Sequence, residues 1–205
     1  MPNTPTAAPA VSSTVGLKNL VIAPMLTDTE AETTYGTLQR VAGAIEASIT
    51  PDNADPDVQY FDDAEGDVLY ADPELAFKTK LADLPLTIQE MIFGNKIDKN
   101  GVLVRTSTDK PGYFAVGFKS EKSNGKFRYI WLFKVRAKPV TENYATKEGK
   151  TITRQTGEVE WVAIKRISDN RYQLVADEDE NGFTAEKAAT FLDSVYTPDF
   201  SESAG

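Results

Sequence analysis

Apolar and polar side chains alternate with a period of two along most of this chain. That pattern predicts β-strands, because successive strand residues point to opposite faces of a sheet. We predict strands over residues 17–25, 37–50, 74–81, 113–119, 127–135, 151–167 and 170–176. Residues 127–135 are apolar on both faces, so this strand should be central and covered on both sides. Asn124 and Gly125, just before it, predict a hairpin turn, since both residues tolerate positive φ.

In two of these strands the alternation is regular enough to assign the faces. For residues 37–50, the face expected to turn inward consists of Val41, Gly43, Ile45, Ala47 and Ile49, and the polar face includes Arg40, Glu46 and Ser48. For residues 74–81, Leu75, Phe77, Thr79 and Leu81 alternate with Glu74, Lys78 and Lys80. Each strand should therefore cover a core with one face and present charged side chains on the other.

Two segments have helical spacing instead. Residues 83–94 should form a helix with Asp83 as its N-cap, Pro85 in the first turn and Gly94 at its end. A second helix is predicted over residues 184–196, ending before Pro198. Strands with two short helices indicate a mainly β (α+β) fold, a β-sandwich or barrel with one or two flanking helices.

The predicted elements make one domain, residues 15–198, with flexible segments at residues 1–14 and 199–205. Two long loops interrupt it, at residues 51–73 and 137–150. The first carries nine acids when Glu74 is included, and no Lys or Arg occurs between Arg40 and Lys78. Large apolar side chains inside such polar loops indicate contact with another subunit. The candidate interface residues are Tyr60, Phe61, Val68, Leu69, Tyr70 and Tyr144.

The amino-acid composition excludes most kinds of catalytic site. The chain has 205 residues, no Cys and no His, 31 Asp and Glu against 22 Lys and Arg, and a net charge of −9. Disulfides, thiolate nucleophiles, Ser-His-Asp triads and metals bound by Cys or His are excluded, so we expect no enzyme and no cofactor. The acidic balance argues against a general phosphate-binding surface. Because the start lacks a signal-peptide pattern and no apolar run could span a bilayer, we expect cytoplasmic synthesis and no membrane partner.

Three local patterns have a functional and a structural interpretation. Residues 177–182 match the D-x-D-x-N-G opening of a calcium loop, but the acid expected at its twelfth position is Ala188; the alternative is an acidic turn before a helix. Paired carboxylates could hydrolyse glycosides, yet none of the 31 acids is singled out. Trp131 and Trp161 could stack on a sugar or base, but their apolar strand neighbours favour core packing.

A series of short motifs follows a recognisable order along residues 15–198. The motifs are Val15-Gly-Leu-Lys-Asn-Leu-Val-Ile-Ala-Pro24, Tyr35-Gly36, Ala42-Gly-Ala-Ile-Glu46, Ala82-Asp-Leu-Pro85, Asn100-Gly-Val-Leu-Val104, Gly117-Phe-Lys-Ser120, Ser123-Asn-Gly-Lys-Phe-Arg-Tyr-Ile-Trp-Leu132, the acidic stretch 176–180 and Phe191-Leu-Asp-Ser-Val-Tyr-Thr-Pro198. In this order they resemble the major tail protein, or tail tube protein, family of long non-contractile tailed bacteriophages and prophages of Gram-positive bacteria. The Pro-rich start is not part of the pattern.

The resemblance implies a virion structural protein that is assembled in the host cytoplasm and located in the phage tail. Its β-sandwich would form hexameric rings, in which four strands of each subunit join one closed barrel, and the stacked rings would conduct DNA into the host. The implied partners are further copies of the chain and the tape measure, tail terminator and distal tail proteins. DNA would pass without specific binding, and no catalytic residue or metal site comes with the family.

A DNA conduit should not bind phosphates, so we expect acids on the channel wall. The polar faces of the long strands supply the lumen candidates Glu46, Glu74, Glu158 and Glu160. Lys78, Lys80 and Arg128 lie on similar faces. The alternative function is a cell-surface or carbohydrate-binding β-sandwich module, and a more remote one is a carboxylate hydrolase.

Overall fold

The computed structural model describes residues 12–52, 57–61, 64–69, 74–139 and 157–200, with the backbone alone for residues 52, 57–61 and 64–69. The strands are β1 Thr14–Asp28, β2 Thr33–Tyr35, β3 Gln39–Arg40, β4 Ala44–Asp52, β5 Asp57–Phe61, β6 Ala64–Leu69, β7 Glu74–Leu81, β8 Lys96–Ile97, β9 Leu103–Val104, β10 Phe114–Lys122, β11 Phe127–Ala137, β12 Gly157–Ala163 and β13 Gln173–Asp177. The helices are α1 Leu86–Phe93 and α2 Ala185–Thr190. The chain is therefore mainly β with two short helices, as predicted.

Most strands belong to one antiparallel sheet of nine strands. Its main path runs β2-β1-β10-β11-β12-β7-β4, while β13 pairs with β11 and β3 pairs with β1. The sheet folds over so that its two halves face each other, and the rings of Phe77 on β7 and Phe118 on β10 stack with centroids 6.0 Å apart. The architecture is a β-sandwich, and β5–β6 and β8–β9 form separate two-stranded hairpins.

The main core lies between the two halves of the sheet. In β7 the buried side chains alternate with more accessible ones, as period two requires: Leu75, Phe77, Thr79 and Leu81 are buried. Thr79 is polar but satisfied, because its hydroxyl accepts a hydrogen bond from the Trp161 indole N–H at 2.9 Å. The helix α1 adds Ile88 and Ile92 to the same core. The prediction for residues 74–81 is confirmed.

A second core covers the opposite face of β10 and β11. It contains Tyr129, Trp131 and Phe133 from β11, and the segment that follows α2 packs Phe191 and Leu192 against them. Because each face of β11 contacts one of the two cores, the predicted double coverage of this strand is confirmed. Both Trp side chains are buried, which confirms their assignment to core packing.

The prediction of an unbroken strand over residues 37–50 is wrong. The segment divides into β3 and β4, and Gly43, between them, has a φ of 77°, which a strand cannot contain. A register shift between Ala44 and Glu46 also moves Ile45 to the outside, where 52% of its surface is exposed. Beyond this bulge the predicted alternation holds, because Ala47 and Ile49 pack on the core.

Both helices are shorter than predicted. In α1 the N-cap is Pro85, without a side-chain hydrogen bond, so Asp83 does not cap it. The predicted end at Gly94 is confirmed: this residue has a φ of 71° and donates its N–H to the Glu90 carbonyl. The helix α2 ends at Thr190, and Phe191 and Leu192 pack on the second core from a turn.

The strand predicted over residues 151–167 is confirmed only in part. In the described chain it corresponds to β12, which ends at Ala163. Residues 151–156 lie outside the described residues.

Candidate functional site

The four lumen candidates lie on three neighbouring strands of one half of the sandwich. Glu46 is on β4, Glu74 on β7, and Glu158 and Glu160 are on β12. Their positions alternate with the buried ones, so all four project from the outer face of this half-sheet. We call this surface the outer face of β4–β7–β12. The structure thus brings together residues that are more than one hundred positions apart in the sequence.

Lysines of β7 lie between these acids. Lys78 is directly opposite Glu160, and Lys80 is opposite both Glu158 and Glu46. The Lys78 Nζ lies 2.5 Å from Glu160 Oε1 and 3.7 Å from Glu158 Oε1. The hydrogen bond with Glu160 raises the pKa of Lys78 and lowers the pKa of Glu160. The cation in the middle of the face is therefore held by two carboxylates.

Basic residues from the end of β11 complete the charge balance. Arg136 pairs in register with Val162, which places it on the same face, and Lys138 Nζ lies 3.8 Å from Glu160 Oε2. Four acids thus share the surface with four basic residues, which are Lys78, Lys80, Arg136 and Lys138. The sequence predicted a wall dominated by acid, whereas the described part of this face is charged but close to neutral.

One edge of this face is formed by β4. The strand β4 is the last in the path of the main sheet and pairs only with β7 among the described strands. From Glu46 to Asp52 it keeps a regular register with β7. An edge strand presents backbone N–H and C=O groups that another strand can bind, and natural edges are often protected by Lys, Pro or bulges. Here the bulge and Pro51 lie at the two ends, and neither Lys nor Pro occurs in residues 46–50.

The predicted interface residues fall on the segment that links β4 to β7. Tyr60 and Phe61 belong to β5 and Val68 and Leu69 to β6, and the two strands pair as a hairpin. Tyr70 and Tyr144 lie outside the described residues. Because β5–β6 follows the Asp52–Glu74 end of the β4–β7 ladder, this acidic segment starts where the outer face ends.

The D-x-D-x-N-G motif is part of an ion-pair network. Asp177 Oδ1 lies 2.7 Å from Lys122 Nζ, and its Oδ2 lies 2.8 Å from Arg128 Nη2. Asp179 contacts Lys122 and also Lys126. Although burial opposes it, the bond from Lys122 keeps the pKa of Asp177 below its usual value. The bonds from Lys122 and Lys126 lower the pKa of Asp179.

Since three cations occupy these two carboxylates, the network favours the turn interpretation of residues 177–182 over the calcium loop. Within the described residues no group of three or more Asp or Glu side chains is arranged to hold a metal ion. The network joins the hairpin between β10 and β11 to the end of β13.

A second buried pair was missed by the sequence reasoning. Lys134 Nζ lies 2.6 Å from Asp28 Oδ2, with 9% and 7% of the two side chains exposed. Asp28 also accepts hydrogen bonds from the Ile167 N–H and from the Thr33 hydroxyl. Burial opposes ionisation, yet these bonds keep the pKa of Asp28 below its usual value. The one available signal was a lysine inside the apolar run of residues 127–135.

Several clefts of the described chain are open to solvent. One of about 240 Å³ lies beside α1 and is lined by Phe93, Asn95, Arg105, Thr106, Asp109, Pro111 and Pro139. Another, of about 460 Å³, lies beside α2, where Lys119 sits 4.1 Å from the centre of the Phe127 ring. A third, of about 490 Å³, has Phe133, Arg171 and Phe200 among its lining residues. None of the three includes a lumen or interface candidate. The extended outer face, rather than a pocket, is therefore the candidate functional site.

No protein-family model matches this chain, and no curated protein has a significantly similar sequence. Among the described residues, no helix is long and apolar enough to cross a membrane. The structural features above are therefore the basis for the functional assignment.

Proposed function

We propose that this chain is the structural subunit of a phage tail tube, which polymerises as stacked hexameric rings and forms the conduit for DNA delivery. The edge of β4, which has no second partner among the described strands, carries the proposal. In an isolated subunit such an edge favours uncontrolled pairing, whereas closure of a ring covers it. When one surface of a subunit binds a different surface of the next, the contact is heterologous and generates rings or filaments.

The outer face of β4–β7–β12 suits a channel wall that must let DNA pass. Free lysines would bind phosphates, and many such contacts along a tube would retain DNA cumulatively. Lys78 is already held by Glu158 and Glu160, and Lys80 lies between Glu46 and Glu158 in register. The cations on this face are compensated by acids, so its affinity for a polyanion is low.

The alternative, a carbohydrate-binding module, has less support. Such modules stack sugars on exposed aromatic rings, but Trp131 is fully buried and only 3% of Trp161 is exposed. Both indole N–H groups are also used inside the protein, by the Phe191 carbonyl and by Thr79. Neither Trp can form a binding platform without unfolding part of the core.

Polymerisation by the purified chain tests the proposed function. The wild-type protein should form rings or tubes in negative-stain electron microscopy. The double change Ser48→Lys and Thr50→Lys, which places two lysines on the β4 edge strand, should prevent assembly and leave a folded subunit. Ser107→Lys with Ser194→Lys adds the same charge at exposed positions away from this edge, and should assemble normally. Normal tubes from the β4 variant would contradict pairing at this edge.

A further inference from the structure

The helix α1 and the hairpin β8–β9 form an exposed surface that the outer face does not include. Three large apolar side chains lie open to solvent within these nineteen residues: Leu86 at 44%, Val102 at 55% and Val104 at 46% exposed. Lys96 pairs in register with Val104, so both belong to one face of the hairpin. Lys99 is exposed at the tip. Asp98 pairs across the hairpin with Val102, so it lies on the same face and is exposed. We define the basic hairpin face as Lys96, Asp98, Lys99, Val102 and Val104.

The acids near this face are occupied by local donors. Asp98 accepts the N–H groups of Val102 and Asn100 at 2.9 and 2.8 Å, which lowers its pKa. Glu90 accepts the N–H of Ile97 at 3.1 Å. Within the described chain, by contrast, Lys96 and Lys99 have no carboxylate within ion-pair distance. Among the described residues, the basic hairpin face therefore combines exposed valines with two lysines that form no ion pair, on a protein whose net charge is −9.

Asp109, the third acid of residues 86–110, is also occupied. It accepts a hydrogen bond from the Thr106 N–H at 2.8 Å and another from the Asn95 amide at 2.9 Å. The hydrogen bonds from Thr106 lower the pKa of Asp109 most, and the longer-range attraction of Lys96 lowers it least. Against these three acids, residues 86–110 contain four basic residues, so the segment has a net charge of +1.

The acidic segment of residues 57–69 has the complementary composition. It contains five acids and no basic residue, together with the apolar residues Val58, Tyr60, Phe61, Val68 and Leu69. Lysines without ion-pair partners beside exposed valines fit a partner that offers carboxylates beside apolar side chains. Residues 174–186 also carry five acids and no basic residue, but Asp177 and Asp179 in that stretch are already bound by lysines of the same copy.

The two surfaces belong to segments that leave the sheet at opposite ends of one ladder. The acidic segment follows the Asp52–Glu74 end of β4–β7, whereas α1 begins near the other end, where Leu84 lies beside Gly157. The eight residues of β7 separate these ends by roughly 25 Å of strand. This separation favours contact between copies over contact within one copy.

A second basic region is a weaker candidate for the same role. Beside the cleft next to α2, Lys18 lies 2.6 Å from Glu121 and Lys126 lies 2.9 Å from Asp179. Those lysines are already neutralised and their carboxylates would repel an acidic partner. The basic hairpin face lacks such ion pairs in the described chain.

We propose that the acidic segment of one copy docks on the basic hairpin face of a second copy. This inference rests on the proposed function, since it assigns a contact inside the polymer. The donor and receiving surfaces differ, so the contact is heterologous and propagates an assembly. Its ionic component should make polymerisation weaken as salt is added.

Charge reversal on both surfaces tests the contact. Lys96→Glu with Lys99→Glu should raise the lowest protein concentration that polymerises by about tenfold or more at low salt, since attraction becomes repulsion. Glu65→Lys with Asp67→Lys should have the same effect. The chain with all four changes keeps the wild-type net charge, and should polymerise within about threefold of the wild-type concentration, because the reversed charges attract again.

The matched control is Arg40→Glu with Lys187→Glu, which changes the net charge as much as the Lys96 and Lys99 pair but lies elsewhere on the surface. It should polymerise like the wild type. Normal assembly of the variant with Lys96→Glu and Lys99→Glu overturns the inference. The inference is also overturned if both double variants fail to polymerise and the variant with all four changes fails as well. A wild-type chain that stays monomeric contradicts the proposed function itself, so the two failures are distinguishable.

Discussion

At the scale of single residues, Gly117 leaves no room for a side chain beside Trp131. A Cβ atom at Gly117 would lie 2.8 Å from three ring atoms of Trp131, which is fully buried and hydrogen-bonded to the Phe191 carbonyl. The indole cannot move without disturbing the second core. Gly117→Ala should therefore lower the free energy of unfolding by about 1–3 kcal/mol, as measured by chemical denaturation.

Gly16→Ala is the control, because among the described residues, apart from Gly16 and its two chain neighbours, no atom lies within 4 Å of the position that the added methyl group would take. It should change the free energy of unfolding by no more than about 0.5 kcal/mol. Equal effects of the two changes would show that the second core tolerates expansion around Trp131.

The ion-pair network around Lys122 should make the stability of the protein depend on pH. Its carboxyls, Asp177 and Asp179, have pKa values below the ordinary one in the folded protein, so the stability they provide is present above about pH 4 and is lost as the pH falls further. Lys122 has a raised pKa, so its contribution is lost only as the pH rises beyond about 10.5. Lys122→Met should lower the Tm most at neutral pH, and the difference from wild type should shrink below about pH 4.

Thermal unfolding of both proteins across this pH range provides the measurement. Lys187→Met, which removes an exposed lysine of α2, should lower the Tm little at any pH. A constant difference between wild type and Lys122→Met from neutral to acidic pH would mean that the network does not depend on ionised carboxylates.

At the scale of elements, the outer face of β4–β7–β12 should determine how DNA moves through the proposed tube. Changing Glu158 and Glu160 to Lys removes both carboxylates that hold Lys78, and leaves a face rich in free cations. Tubes should still assemble, since both side chains are on an accessible strand face. DNA ejection from particles that carry the variant should slow by about tenfold or more at low salt, where screening is weakest.

The control for this experiment is Glu30→Lys with Glu32→Lys, an equal charge change in the exposed turn between β1 and β2. It should leave the ejection rate unchanged. If the Glu158 and Glu160 variant forms normal tubes and ejects DNA at the wild-type rate in low salt, these residues lie outside the channel.

The elements also show what the sequence could and could not predict. Period two located β7 and β11 correctly, because both strands pack on a continuous core that selects every second residue. The same rule failed for Ile45, because a bulge depends on how β4 pairs with β7 and not on local composition. The bond between Lys122 and Asp177 joins residues 55 positions apart, and only the register of β13 on β11 brings them together.

For the candidate site, the sequence placed the four glutamates on polar strand faces but could not predict their neighbours. Lys78 and Lys80 become partners of Glu158 and Glu160 only because β7 pairs with β12. The balance of charge on this face depends on which strands are neighbours in the sheet. The alternation of residues along one strand does not reveal that order.

At the scale of the whole molecule, we propose an assembly from two features: the edge of β4, which has one partner among the described strands, and the acidic segment beyond it. In the proposed assembly the edge would supply backbone groups for a neighbouring strand, and the acidic segment would supply charge for the basic hairpin face. We expect strand pairing at the β4 edge to close a ring. We expect the contact between the acidic segment and the basic hairpin face to fix the position of another copy. In that assembly the free subunit would be only part of the functional unit.

Cryo-electron microscopy of the polymer formed by the purified chain tests the proposed assembly most directly. We predict stacked hexameric rings in which β4 pairs with a strand of the neighbouring subunit and the outer face of β4–β7–β12 lines a central channel. A monodisperse monomer at high concentration, or a polymer in which the β4 edge stays exposed to solvent and this face points outward, would contradict it.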